Sequence, residues 1–288
     1  MDIFNSSDWK AAVMDFFLPR HCVVCDSVLG PRENHLCEAC WGDLPHTYYW
    51  MLRNNPMADR LNALIQERLE EDFGTRTIST DATITTSYPD GGNQNKSAQR
   101  ERYAYAAALF FYRAESDYSK ITRCIKYQGR LEVGKHFGRL LGEKLAGSSL
   151  FSDVDAVVPV PLHWLRRWKR GYNQAEIIAE EVAAALGVPL RTDILVRRRR
   201  TQTQTQLSIA EKAANVAGAF EVSDRAKSLY GVGSYENSSL PTWPKHILLI
   251  DDVFTTGSTL GECFMALRSV FPPEVRISVA TLAFVGAL

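Results

Sequence analysis

The sequence carries no excess of either charge: Lys and Arg together number 33, Asp and Glu also 33, and the net charge at pH 7 is zero. Such a chain has no overall field with which to recruit nucleic acid or an anionic membrane. No run of 18 apolar residues occurs, so no membrane insertion is expected. The opening Met1-Asp2 is not followed by a basic segment and an apolar one; no secretion signal is read there, and the expected location is cytoplasmic. Cysteine is scarce, six in 288 residues, and in a chain without an export signal those six do not suggest a disulfide framework. Internal repeats are lacking too. The length suffices for one sizeable α/β domain plus a smaller module.

Four of the six cysteines are spaced in a way that has a purpose. Cys22 and Cys25 form one C-x-x-C pair, eleven residues intervene, and Cys37 and Cys40 form a second. Each pair makes a tight knuckle, and together they place four thiolates at the corners of a tetrahedron, the ligand set of a structural zinc ion. Two disulfides are the competing reading, which the absence of a secretion signal disfavours. A closed four-thiolate shell leaves no position for a substrate, so the zinc is expected to stabilise a module too small to fold on apolar burial alone. His21 and His35 flank the knuckles without being needed as ligands. The remaining thiols, Cys124 and Cys263, read as buried.

Along the chain, 9–18 suggests a short amphipathic helix, and 57–72 a helix with Leu61, Leu64, Ile65 and Leu69 on one stripe. Composition turns polar from Gly74 to Arg100 and again over 223–244, which read as linker or insertion. The alternation in 103–112 suggests a strand, and 117–145 a helix, a break at Gly129 and a second helix. Around that break Lys126, Gly129 and Arg130 admit two readings, a functional interruption or an ordinary glycine cap. The stretches 155–160, 188–190, 194–196 and 275–284 are further strand candidates, the last as a closing strand. Arg197 to Leu207, with Thr201 and Gln204, reads as a flexible flap or an exposed loop, and Ser208 with Glu211 forms a capping box for a helix to about Ala217. The expected organisation is a zinc-ribbon module over 1–55, a helix and polar linker over 56–100, and an α/β domain over 101–288 built on an open, mostly parallel sheet with helices on both faces.

Two stretches carry chemistry. Ile247 to Ile250 read as a strand buried on both faces, ending in Asp251 and Asp252; Thr255, Thr256, Gly257, Ser258 and Thr259 then open a helix whose Leu260, Cys263, Phe264 and Leu267 form an apolar face. Such a turn cradles an anion, because glycine allows close backbone approach and the helix N-terminus offers N–H groups and partial positive charge. A simple N-cap by Ser258 or Thr259 would explain one hydroxyl and leave the acid pair without a role. The second stretch is Val160, Pro161, Leu162 and His163 after a strand, followed by the cations Arg166, Arg167, Lys169 and Arg170 and a helix from about Ala175. In an open α/β sheet, a loop at the carboxyl end of a strand is where ligands bind, and arginine forks suit phosphate. Trp164, Trp168 and Tyr172 interleave with these cations; they could stack bases, but the expectation is that they pack the ribbon on the large domain.

Residues 247–259, four apolar residues, two acids, two apolar residues and T-T-G-x-T, resemble the motif by which type I phosphoribosyltransferases bind 5-phosphoribosyl 1-pyrophosphate (PRPP). Together with PVPLHWLRRWKRGYNQ, the spacing of Arg197, Thr201, Gln204 and Leu207, and the four-cysteine ribbon, the chain resembles the ComF/GntX family, whose best-known members are linked to DNA uptake in natural competence. The resemblance implies a type I phosphoribosyltransferase-like fold. It places Asp251 and Asp252 on ribose hydroxyls, Thr255 to Thr259 on the 5-phosphate, and the loop from Val160 through Arg166 on pyrophosphate. It further implies Arg170 as a leaving-group cation, Arg197 to Gln204 as a lid, and Mg²⁺ arriving with PRPP. Lys212 stands where that family usually has arginine, and Thr255 where purine-salvage enzymes have an aspartate, which speaks against a purine acceptor. The implied activity is phosphoribosyl transfer to an unidentified acceptor; a ligand-sensing protein that contacts single-stranded DNA or a competence-machinery protein is the alternative. Oligomeric state is left open.

Overall fold

A computed structural model of the chain describes residues 19–78, 101–113, 115–198, 218–230 and 243–286. The expected helices at 9–18 and 208–217, the flap residues Thr201 and Gln204, and the polar segment 79–100 lie outside the described residues.

Four parallel strands form the main sheet: β1 (Ala106–Tyr112), β2 (Ala156–Pro159), β5 (His246–Phe254) and β6 (Arg276–Val285), in the order β1-β6-β5-β2. Ile247, Leu248, Leu249 and Ile250 are all fully buried, which is why an uninterrupted apolar run was required there: β5 is covered on both faces. β6, read from sequence as a closing strand, lies inside the sheet between β1 and β5. Its register sets Asp251 beside Thr281 and Phe254 beside Phe284. Because every strand runs the same way, all four carboxyl ends share one edge, and the two chemical stretches meet there. A small antiparallel pair, β3 (Leu195–Arg197) and β4 (Phe220–Val222), stands alongside.

Helices cover both faces. One apolar layer holds Ile121 and Ile125 of α3 (Ser119–Tyr127), Phe137 and Leu141 of α4 (Leu131–Ala146), and Ile178 and Val182 of α6 (Gln174–Leu186). The other holds Met57, Leu61 and Ile65 of α2 (Pro56–Ile78) with Leu260, Phe264 and Leu267 of α8 (Ser258–Arg268). In the ribbon, α1 (Glu38–Gly42) opens at Cys37, whose sulfur accepts from the Cys40 amide. The segment after it pairs with the edge of β1: Phe111 donates to the Pro45 carbonyl at 2.9 Å, and the Thr47 hydroxyl donates to that of Ala108.

Three expectations are corrected. The cations after Val160 do not lie on a loop but on a short helix, α5 (Trp164–Arg170), capped at its start by His163, whose Nδ1 accepts from the Leu165 amide at 3.3 Å. Its tryptophans do not pack the ribbon: Trp164 is 66% exposed and Trp168 79%, since seven residues with four cations offer no apolar stripe to bury. Within the polar stretch 223–244, Asp224–Tyr230 is helical (α7). The cause is a buried i, i+4 pair, Ala226 and Tyr230, with the Ser223 hydroxyl accepting from the Ala226 amide at 3.1 Å.

Candidate functional site

Nine residues of β5 carry the acid pair to the carboxyl edge of the sheet and stop there. Asp252 is 3% exposed, and its Oδ2 meets Lys126 Nζ at 2.7 Å. Lys126 is the penultimate residue of α3; Gly129, at φ +67°, follows the Gln128 cap. The glycine ends the helix, as the cap reading has it, and the lysine just before it lines the cleft. Burial works against the charge of Lys126, but the charge and hydrogen bond of Asp252 outweigh it and hold the ammonium protonated. Asp251 accepts from the Asp252 amide at 2.9 Å. Burial first, then the negative charge of Asp252, pushes its carboxyl up to about 7, so near neutrality Asp251 holds its charge only loosely.

After Phe254 the backbone turns through Gly257 at φ +86°. A Cβ there would also come within 2.6 Å of the Phe254 ring and 2.9 Å of Leu64, so the turn rests on the core with no room for a side chain. Gly257 itself occupies the cap position of α8 and offers the first amides no side chain; the Thr256 hydroxyl accepts from the Ser258 amide at a long 3.4 Å. The simple N-cap reading therefore fails: Ser258 is the first helical residue, its hydroxyl 2.9 Å from that of Thr256. What results is a small cup formed by Thr255, Thr256, Gly257, Ser258 and Thr259, with N–H groups of a helix start available to an anion.

The cup opens beside a cleft of about 390 Å³. Val160, Pro161, Leu162, Arg166, Arg170, Arg197, Asp251, Asp252, Thr255 and Thr259 all line it, so two segments more than 80 residues apart converge as expected. His163 does not line it; it is buried as the cap of α5. Arg170 donates to Gln174 and lies 5.6 Å over the Tyr127 ring, while Arg197 stacks 4.9 Å over Phe220. Asn173 holds the loop in place, donating to the Val160 carbonyl at 3.0 Å and accepting from the Ala175 amide at the start of α6. Sequence reasoning did not place Lys126, Tyr112, Tyr127 or Gln174 in the cleft. For Lys126 the signal was present, a cation one turn before a helix-ending glycine; for Tyr112 it was only that β1 ends at the same edge.

Away from the cleft, the sulfurs of Cys22, Cys25, Cys37 and Cys40 lie within 4.8 Å of one another, those of Cys25 and Cys37 at 3.6 Å. Thiolates about 2.3 Å from a tetrahedral zinc stand roughly 3.8 Å apart, so the donor set fits that ion and closes its shell. Hydrogen bonds from the Ser27 side chain and backbone pull the Cys25 thiol down to about 6, favouring the thiolate that a metal needs. These four cysteines form a zinc site. Among the described residues no helix is long and apolar enough to cross a membrane.

Comparison with known proteins finds two separate matches. Residues 13–49 match the double zinc ribbon domain and residues 173–286 the phosphoribosyl transferase domain. Competence protein F of Haemophilus influenzae is 29% identical over 155 residues, 53% of this chain and 62% of that protein. The DNA utilization protein YhgH of Salmonella typhi is 30% identical over 154 residues (51% and 61%), and that of Escherichia coli K12 29% over 150 residues (50% and 58%). The chain thus spans about six-tenths of the length of these curated relatives.

Proposed function

We propose that this chain, a ComF-like protein in which a zinc ribbon precedes a phosphoribosyltransferase domain, binds PRPP in the cleft and transfers its phosphoribosyl group to an acceptor with release of pyrophosphate. The observation that carries the reading is the meeting, in one cleft, of an acid pair, an open helix start and four cations, Lys126, Arg166, Arg170 and Arg197. A ligand with a diol between two anionic ends matches that layout. Asp251 and Asp252 accept from the ribose hydroxyls, the amides and hydroxyls of Thr255 to Thr259 hold the 5-phosphate, and Arg166 and Arg170 face the pyrophosphate with forked donors. As the C1–oxygen bond loosens, the cations stabilise charge gathering on the leaving group, and a precise fit rather than a covalent intermediate lowers the barrier. A Mg²⁺ ion arriving with the ligand would supply further charge neutralisation of the pyrophosphate beside Arg166 and Arg170. Lys126, 2.7 Å from Oδ2, orients the Asp252 carboxylate.

Calorimetry with PRPP in Mg²⁺ tests this: saturable binding that Asp252→Asn weakens at least tenfold is expected, and no heat at millimolar PRPP removes the basis of the proposal. Pyrophosphate release on adding candidate acceptors separates an enzyme from a non-catalytic sensor. A second reading is favoured by one observation, the exposure of Trp164 and Trp168 on the cationic helix α5. Rings between cations suit stacking on single-stranded DNA, in keeping with the names of the relatives, a competence protein and DNA utilization proteins. Binding that falls steeply with salt supports that reading.

A further inference from the structure

The same edge of the sheet carries a second cavity, of about 350 Å³, that shares no lining residue with the cleft. Tyr49, Phe111 and Phe284 line it together with His46, Thr47 and Arg60. Phe111 and Phe284 are the penultimate residues of β1 and β6, and both belong to the apolar layer shared with α2 and α8 rather than to the layer that carries Lys126. The Tyr49 and Phe284 rings meet edge to face with centroids 5.8 Å apart, so the walls are braced. Arg60 is exposed on α2 and donates once, to the Thr255 carbonyl at 3.0 Å. Among the described residues no carboxylate pairs with it, and a guanidinium has five donors.

We propose that this cavity is a binding site for a planar aromatic molecule bearing a carboxylate. Three aromatic walls accept a flat apolar body, offset or edge-on, at low cost in solvation. The one formal charge among the lining residues is positive, and among the described residues its fork keeps donors that fit a carboxylate. A neutral apolar ligand would leave the guanidinium without an anion, and a compact inorganic anion would leave the rings in contact with water. The location gives the site consequence. Arg60 already holds the carbonyl of Thr255, and the Phe284 ring stands 5.8 Å from that of Phe254, on which Gly257 rests. An occupant therefore sits against the back of the anion cup. The proposal does not depend on the phosphoribosyl reading, because neither the cup nor the acid pair takes part in it.

The test uses the full chain with its zinc and 1-naphthoate as probe, followed by ligand-observed NMR, with 1-naphthalenemethanol as the neutral analogue. Saturable one-site binding of naphthoate is expected, with the alcohol at least tenfold weaker. Arg60→Gln, an exposed change that leaves the core intact, should weaken naphthoate about tenfold to a hundredfold while leaving the alcohol unchanged. Phe111→Ala should weaken both. Lack of saturable naphthoate binding at millimolar concentration overturns the proposal, as does equal binding by the alcohol or by Arg60→Gln.

Discussion

Removing the charge of Asp251 should stabilise the protein and weaken its ligand binding at once. Its carboxyl sits near 7 in the folded chain against an ordinary 3.8, with burial as the first cause and Asp252 as the second. A folded value above the unfolded one means the folded state binds the proton more tightly. Its contribution is therefore fully present below the unfolded value and is lost as pH rises through about 7. Three units at 1.36 kcal/mol each set a ceiling of about 4 kcal/mol, of which roughly 1.4 kcal/mol is lost between pH 6 and 8. For a chain of this size that corresponds to a fall of roughly 3 °C in Tm. Asp251→Asn keeps an oxygen for the Asp252 amide but cannot titrate, so it should show no such fall. Calorimetric melting of the ligand-free protein at half-unit steps from pH 6 to 8, in buffer without phosphate, measures the difference between wild type and variant. Burial lowers the values of His35, His136 and His246; these groups gain stability as pH rises, and the subtraction cancels them. Parallel melting curves for the two proteins would refute the argument that this carboxylate is held against its own solvation. The variant should meanwhile bind PRPP less well, giving opposite signs for stability and affinity.

Lys126→Met strands Asp252 as a buried charge and should cost about 2–4 kcal/mol by urea titration, whereas Lys126→Met with Asp252→Leu should recover most of it. Gly257→Ala forces a side chain into a positive φ and against Phe254; about 2–4 kcal/mol is expected from strain and overpacking together, and PRPP affinity should fall with it. Chelation should release one zinc per chain, read with a metallochromic dye, and lower the Tm; a chain that melts identically with and without chelator would show the ribbon to be metal-independent. Trp168→Ala should change stability by no more than about 0.5 kcal/mol, and any binding of single-stranded DNA that it leaves at full strength does not use this helix.

The parts of the fold legible in the sequence are those where local pattern and burial coincide. β5 is an apolar run because both faces are covered, and its two acids stand out because they follow directly on four fully buried apolar residues. The C-x-x-C pairs are legible because metal geometry fixes their spacing. What was not legible depends on distance along the chain. Lys126 lies 126 residues before Asp252, and nothing local announces that α3 ends against β5. The interior place of β6 depends on the crossover path rather than on its composition. The basic segment was read as a loop because its residues show no apolar period; it is helical all the same, since His163 caps one end and Gly171, at φ +82°, closes the other. Local capping sufficed where no burial drove the helix.

One helix joins the two modules. At the start of α3, the Tyr118 hydroxyl donates to the Cys40 carbonyl at 3.1 Å and Lys120 Nζ to that of Val24 at 2.8 Å, both within the ribbon. At its other end Lys126 meets Asp252, and the Tyr172 hydroxyl donates to the Ile125 carbonyl, tying the basic segment to the same turn. Nine residues of helix span about 13 Å, short enough to move as a rigid piece between zinc knuckles and cleft. The buried ion pair has little reason to exist for stability alone, since apolar residues of similar size would serve as well or better. What the pair does supply is direction, since Lys126 fixes the Asp252 carboxylate where both line the cleft. A ribbon anchored to the far end of the same helix then fixes where that lysine stands.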